Sequence, residues 1–285
     1  MRHTETEPEQ SPFHPPKTFM LVHGAWHGAW VWNEVARILR SQGHTVYIPT
    51  LTGLGERASL LSNSVTLDTF INDIEQAILH PQSSPALLPI ENADTAGTRQ
   101  SPCAPERPLT QHPDKPLTNV ILVGHSFAGL VITGVADRIA AHLDRLIYLD
   151  AFLLPSGQST FDTLPEKVVD AITMSAGAGA GIPPPDPVHL GIPKESENYA
   201  WVQQRLTPHP LATYASALNL KSTPGAGLQC CYLSCTEPAY RPVAASRDWA
   251  QMQSDWLHMS LASSHSAPVL APDLVASALA ACAAK

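Results

Sequence analysis

From residue 18 onward, short and mainly apolar stretches alternate with segments whose apolar residues recur every three or four positions. Thr18–Val22, His44–Ile48, Val120–Val123, Leu146–Leu149, Leu228–Ser234 and Leu257–Leu261 are each closed by turn-forming residues, the pattern of strands covered on both faces. Val31, Val35, Ile38 and Leu39 mark one helix face ending at Gln42-Gly43. Leu67, Ile71, Ile74 and Ile78 recur at four, three and four, an amphipathic helix. Leu130 to Leu143 keeps helical spacing, and Pro272 to Ala284 is a last helix, with Pro272 and Asp273 suiting its first turn and Lys285 its last. Strands alternating with helices imply an α/β domain over 18–285 built on a doubly wound, mostly parallel sheet.

Three segments break the pattern. Residues 1–17 are acidic and Pro-rich and read as a disordered tail. Residues 81–118 hold eight prolines without periodicity and read as a solvated insertion, with a lid as its functional reading. Residues 153–226 contain Gly/Pro clusters and helical pieces near 164–174 and 197–206, which suits a cap over a site.

Composition narrows the possibilities. A length of 285 residues with 44% hydrophobic content supports one large core, and a net charge of −8 argues against nucleic acid or an anionic membrane as partner. Neither a signal-like N-terminus nor an apolar run near 18 residues is present, so a soluble cytoplasmic protein is expected. The 13 histidines show no metal-ligand spacing. Cys231 and Cys235 would share one strand face with Cys230 on the other, which suits buried thiols better than a metal or disulfide. No metal or cofactor is expected.

The sharpest break is Gly124-His125-Ser126-Phe127-Ala128, between a buried strand and a helix. A serine on so tight a turn holds its Oγ clear of the sheet, and small neighbours tolerate the strained backbone. The motif resembles the nucleophile elbow of α/β-hydrolases, with Ala128 where the usual pattern has glycine. Because a free hydroxyl is a weak nucleophile, Ser126 needs a base. In that fold the base follows the last strand, where His265 stands; His258 falls at the strand's start, the opposite edge of the sheet. Two N–H donors are required for a developing oxyanion, and Phe127 and Ala25, the latter in His23-Gly24-Ala25-Trp26-His27-Gly28, are the expected pair. Gly24 lets backbone approach a ligand closely.

Phe19–Trp30, the serine turn and the element order together resemble the plant methylesterase and hydroxynitrile lyase branch of α/β-hydrolases. Leu149–Gln158 and Arg205–Leu211 are similar to segments of bacterial esterases of that type. The resemblance covers roughly 18–80 and 119–284 and implies the α/β-hydrolase fold with a helical cap inserted after the sixth strand. Hydroxynitrile lyases of the branch carry threonine at Gly24 and lysine at Ser266, so the chain resembles the esterase side. Plant members place their acid in a Cys-Thr-Glu-Asp pattern, whereas this chain reads Cys235-Thr236-Glu237-Pro238. Two carboxylates remain. Glu237 stands one residue early. Asp150, at the end of the strand after the serine, occupies a place some α/β-hydrolases use, and its burial would demand a partner such as His265. Asp150 is the preferred acid, with Glu237 the alternative.

These residues lead to a serine hydrolase acting on a small or medium apolar ester or lactone as its partner molecule. Trp26, Phe127, Phe152, Trp201 and Tyr214 are candidates to line the pocket, and His209 to bond a substrate carbonyl or anchor its own loop. Competing readings on the same fold are a lyase or cofactor-free dioxygenase using His265 as base, and a ligand-sensing receptor.

Overall fold

The computed structural model describes residues 15–87, 113–179 and 181–285. Most of the proposed 1–17 tail, the middle of the 81–118 insertion and Cys103 lie outside the described residues.

Six strands, β1 (Thr18–Val22), β2 (Thr45–Tyr47), β3 (Val120–His125), β4 (Leu143–Leu149), β7 (Gln229–Cys235) and β8 (Leu257–Leu261), form one sheet in the order β2-β1-β3-β4-β7-β8. All neighbours are parallel. Successive side chains of a strand point to opposite faces, and because both faces are covered the central strands are mainly apolar. Met20, Val22, Leu122, Leu146, Tyr148 and Tyr232 face one core layer, with helices α2 (Leu67–Leu79) and α3 (Ala128–Ile139). Phe19, Leu21, Ile121, Val123, Ile147, Leu149 and Leu233 face the other, with α1 (Asn33–Ser41) and α9 (Pro272–Ala283). Cys231 and Cys235 belong to the second layer and Cys230 to the first, all as free buried thiols.

The α2 spacing puts Leu67, Ile71, Ile74 and Ile78 in the core, as expected of its period. One boundary differs. Helix α3 stops at Ile139, and Leu143, expected as helical, begins β4 instead. Asp144 and Arg145, which disguise the start of β4, are only partly buried there.

Between β4 and β7 the chain forms α4 (Glu166–Ala176), a two-stranded antiparallel ribbon of β5 (Gly181–Ile182) and β6 (His209–Pro210), and short helices α5 (Tyr199–Gln203) and α6 (Leu211–Ala215). This segment follows the fourth strand of the sheet rather than the sixth, because two of the six, β7 and β8, come after it. After β7 comes α7 (Ala244–Gln251), a helix the apolar pattern does not reveal, and after β8 a turn of helix, α8 (Ala267–Leu270).

The chain runs from β1 outward to β2 and then returns to the other side of β1 as β3. Where strand order reverses in this way, the loops leaving the two strands diverge and open a crevice at their carboxyl ends. Gly24 follows β1 and Ser126 follows β3, so both lie at that crevice.

Candidate active site

Ser126 has φ +55°, a conformation L-residues rarely adopt, and the surrounding contacts hold it there. Its N–H donates to Leu149 O at 3.2 Å, and its carbonyl accepts from Gly129 N–H at 3.1 Å and Phe152 N–H at 3.0 Å. A methyl group at Gly124 would lie 2.7 Å from Ala128 O, so the turn requires glycine there.

His265 follows β8 and is buried with Ser126. Its Nε2 lies 2.9 Å from Ser126 Oγ, and its Nδ1 lies 2.7 Å from Asp150 Oδ2. Nδ1–H therefore donates to the carboxylate, leaving the Nε2 lone pair to accept from the serine hydroxyl. Asp150, at φ +43° just past β4, has no exposed surface. Its Oδ1 accepts from Cys235 N–H and from Arg247 Nη2, both at 3.2 Å. Glu237 is exposed, with its backbone N–H on Ser263 O, and makes no bond to His265 among the described residues. His258 is exposed at the amino end of β8, away from the crevice. Of the two carboxylates, the structure brings Asp150 to the imidazole.

The His265 ring packs against two aromatic neighbours. Tyr240 stacks on it with centroids 3.8 Å apart, and His125 lies 4.7 Å away on a tilted plane. His125 Nε2–H donates to the His265 carbonyl at 2.8 Å. Burial and the neighbouring imidazoles His265 and His27 hold the His125 pKa well below the ordinary histidine value, so this donor stays neutral. Burial also pushes the Tyr240 hydroxyl up to about 12.

The β1 loop is tied down by two more neutral histidines. His23 Nδ1–H donates to Gly24 O at 2.9 Å while its Nε2 accepts from Leu51 N–H, and His27 Nδ1–H donates to Ala25 O at 2.7 Å. Burial lowers their pKa values to about 3 and about 4. Gly24 C=O and Ala25 N–H share one planar trans peptide, so anchoring the carbonyl fixes the direction of the N–H. Ala25 and Phe127 are buried, and among the described residues neither N–H has a protein acceptor. Buried donors without partners are rare unless something else occupies them. Gly24 is glycine because a methyl there would sit 2.8 Å from Ser126 Cβ.

The expected pocket residues divide. Trp26, at φ +63°, packs near His209 and Tyr214; Tyr214 stacks on Phe127 at 5.1 Å, and His209 meets Phe127 edge-on at 4.9 Å. His209 Nε2–H donates to Thr213 Oγ1, whose own hydroxyl donates to Pro210 O, so this ring anchors its loop. Its Nδ1 is buried with no partner and is an acceptor in this tautomer; it cannot donate to a substrate carbonyl. Phe152 lines an apolar cavity of about 240 Å³ with Leu153, Pro155, Thr163, Pro242 and Trp249. Trp201 lies elsewhere. On α5 it covers Trp30 edge-on at 5.1 Å, with Arg205 over its ring, in the layer on the α1 and α9 face of the sheet.

Arg247 and Tyr240 escape sequence reading. A lone arginine on a polar helix looks like a solvated face, and Tyr240 sits in a turn without pattern. Among the described residues no helix is long and apolar enough to cross a membrane, and no group of three or more His, Cys, Asp or Glu is placed to hold a metal ion.

A hydroxyl, an imidazole and a carboxylate in line, beside two free N–H groups, can generate a nucleophile and receive an oxyanion. Comparison with known proteins agrees with the fold that carries them. The profile described as "Alpha/beta hydrolase family" matches residues 19–278. The chain is 36% identical over 211 residues to "Carbendazim hydrolyzing esterase" of Nocardioides sp. strain SG-4G, covering 71% of this chain and 73% of that protein. It is 28% identical over 152 residues to "Putative methylesterase 13, chloroplastic" of Arabidopsis thaliana, 53% of this chain but only 27% of the plant protein's length. An extracellular alpha/beta-hydrolase from a Paenibacillus species superposes with a TM-score of 0.66 at 24% identity, over 92% of this chain and 99% of that one, a likeness of fold.

Proposed function

Because the chain belongs to the alpha/beta hydrolase family, we propose that it is a carboxylic ester hydrolase working through an acyl-enzyme on Ser126, with His265 as base and Asp150 as the orienting acid. The observation that carries this reading is the unbroken line of hydrogen bonds from Asp150 Oδ2 through His265 to Ser126 Oγ, 2.7 and 2.9 Å long. The esterase activity in the name of the 36% identical relative supports the same class.

His265 Nε2 takes the hydroxyl proton as Ser126 Oγ attacks the ester carbonyl carbon. The carbonyl oxygen becomes an oxyanion received by the N–H groups of Ala25 and Phe127, each worth about 10²–10³ in rate in such sites. Collapse of the tetrahedral intermediate breaks the bond to the alcohol, which leaves with the proton from His265. Water then attacks the acyl-enzyme, His265 takes its proton, and the acid departs as the serine is restored. Asp150 accepts from the imidazole throughout and steadies the imidazolium. Trp26, partly exposed and backed by the buried Phe127 and Tyr214, offers aromatic surface, which favours a small or medium apolar ester or lactone.

The test is hydrolysis of p-nitrophenyl acetate and of a panel of esters, lactones and carbamates that includes carbendazim. Ser126→Ala should abolish turnover and labelling by a fluorophosphonate probe. Robust hydrolysis by the alanine variant ends the proposal.

A further inference from the structure

Arg247 stands outside the relay, on α7, yet its guanidinium touches two of the pieces that hold it. Nη2 lies 3.2 Å from Asp150 Oδ1 and 3.5 Å from the carbonyl of Tyr240, the residue whose ring stacks on His265. Asp150 is fully buried, and the Arg247 side chain is only 16% exposed.

A carboxylate bonded through one oxygen turns easily, because its terminal torsion is broad and two-fold. Oδ2 is engaged by His265, so the carboxylate plane is set by what grips Oδ1. One grip is a single backbone N–H, from Cys235. The other is Arg247, a charged donor with fixed planar geometry that also compensates the buried carboxylate.

We propose that Arg247 is a positioning residue: by bridging Asp150 Oδ1 and the Tyr240 carbonyl, it fixes both the carboxylate and the ring against the imidazole, and so keeps His265 in line with Ser126. This rests on the triad assigned under Proposed function, and the experiment separates the two.

The experiment is a double-mutant cycle read as kcat and KM on p-nitrophenyl acetate, with Tm recorded for every variant. R247M should lower kcat about tenfold to a hundredfold, the cost of misplacing reacting groups by about an ångström, with KM nearly unchanged. R247K, which keeps the charge but not the fork, should recover part of the loss. D150N should be slow by itself, and the R247M loss should be several-fold smaller in the D150N background than in the parent enzyme, since Arg247 acts mainly through that carboxylate. The double variant buries no unpaired charge, so it should fold even if R247M does not; in that event R247K and D150N/R247K complete the cycle. Losses that multiply in the double variant, or an unchanged kcat in R247M, overturn the proposal. Full activity in D150N would instead strike the triad reading itself.

Discussion

Five non-glycine residues among those described have positive φ, and three of them, Trp26, Ser126 and Asp150, lie in this site. Such conformations cost on the order of 1–3 kcal/mol each and persist only where neighbours enforce them. Gly24 is one of the enforcers, since its backbone lies against Ser126 with no room for a methyl. Gly24→Ala should push the β1 loop and the serine apart and lower kcat at least tenfold, an effect of displacement on the scale known for reacting groups. An unchanged kcat in steady-state kinetics would show that the contact is slack. At this scale Ser126 is legible from sequence because a small-residue turn between a strand and a helix leaves few conformations. His265 is legible because the crevice lies at carboxyl ends, which excludes His258 at the start of β8. The choice between Asp150 and Glu237 is legible only as a preference, since it turns on which strand tip points at the imidazole. That is a matter of a few ångströms in three dimensions.

The segment between β4 and β7 is bound to the β1 loop at two points. Trp26 Nε1–H donates to Ile182 O in β5 at 3.1 Å, and Thr207 N–H donates to Trp26 O at 2.9 Å. The same Thr207 accepts from Gly55 N–H through its hydroxyl, adding the loop after β2. Trp26→Phe deletes the bond to Ile182 and keeps most of the aromatic area. Because the next residue back is Ala25, that variant should lower kcat as well as raise KM, by a few fold each. A change in KM alone would mean that Trp26 only lines the pocket. Strands and long helices are readable because their periods are sustained over several turns or paired faces. The ribbon of β5 and β6 is not, since two residues per strand carry no period, and α7 is hidden because its buried positions include Ser246 and Ala250 rather than large apolar side chains.

At the scale of the whole molecule, four buried histidines among the described residues are held neutral, His23, His27, His125 and His209, each with burial as the main cause. Their folded pKa values lie below the unfolded value near 6.5. Below that pH the unfolded chain binds more protons than the folded one, so stability falls as the pH falls. The contribution is complete above about 6.5 and is lost on the way down towards 4 and 3, the values for His27 and His23. Each histidine adds a slope of roughly 1 kcal/mol per pH unit where it applies. Tm should therefore drop steeply between pH 6.5 and 4.5, and a flat profile across that window in a pH series of thermal melts would refute it.

β4 and β7 are neighbours in the sheet, with Leu149 level with Leu233, so their tips emerge side by side on the same rim. A carboxylate launched from either column has only one strand width to travel before it meets the imidazole. On the proposed assignment the acid is an address on the rim rather than a fixed position along the chain. Chains that carry proline where their cousins carry aspartate deserve a look one column over before they are set aside as inactive.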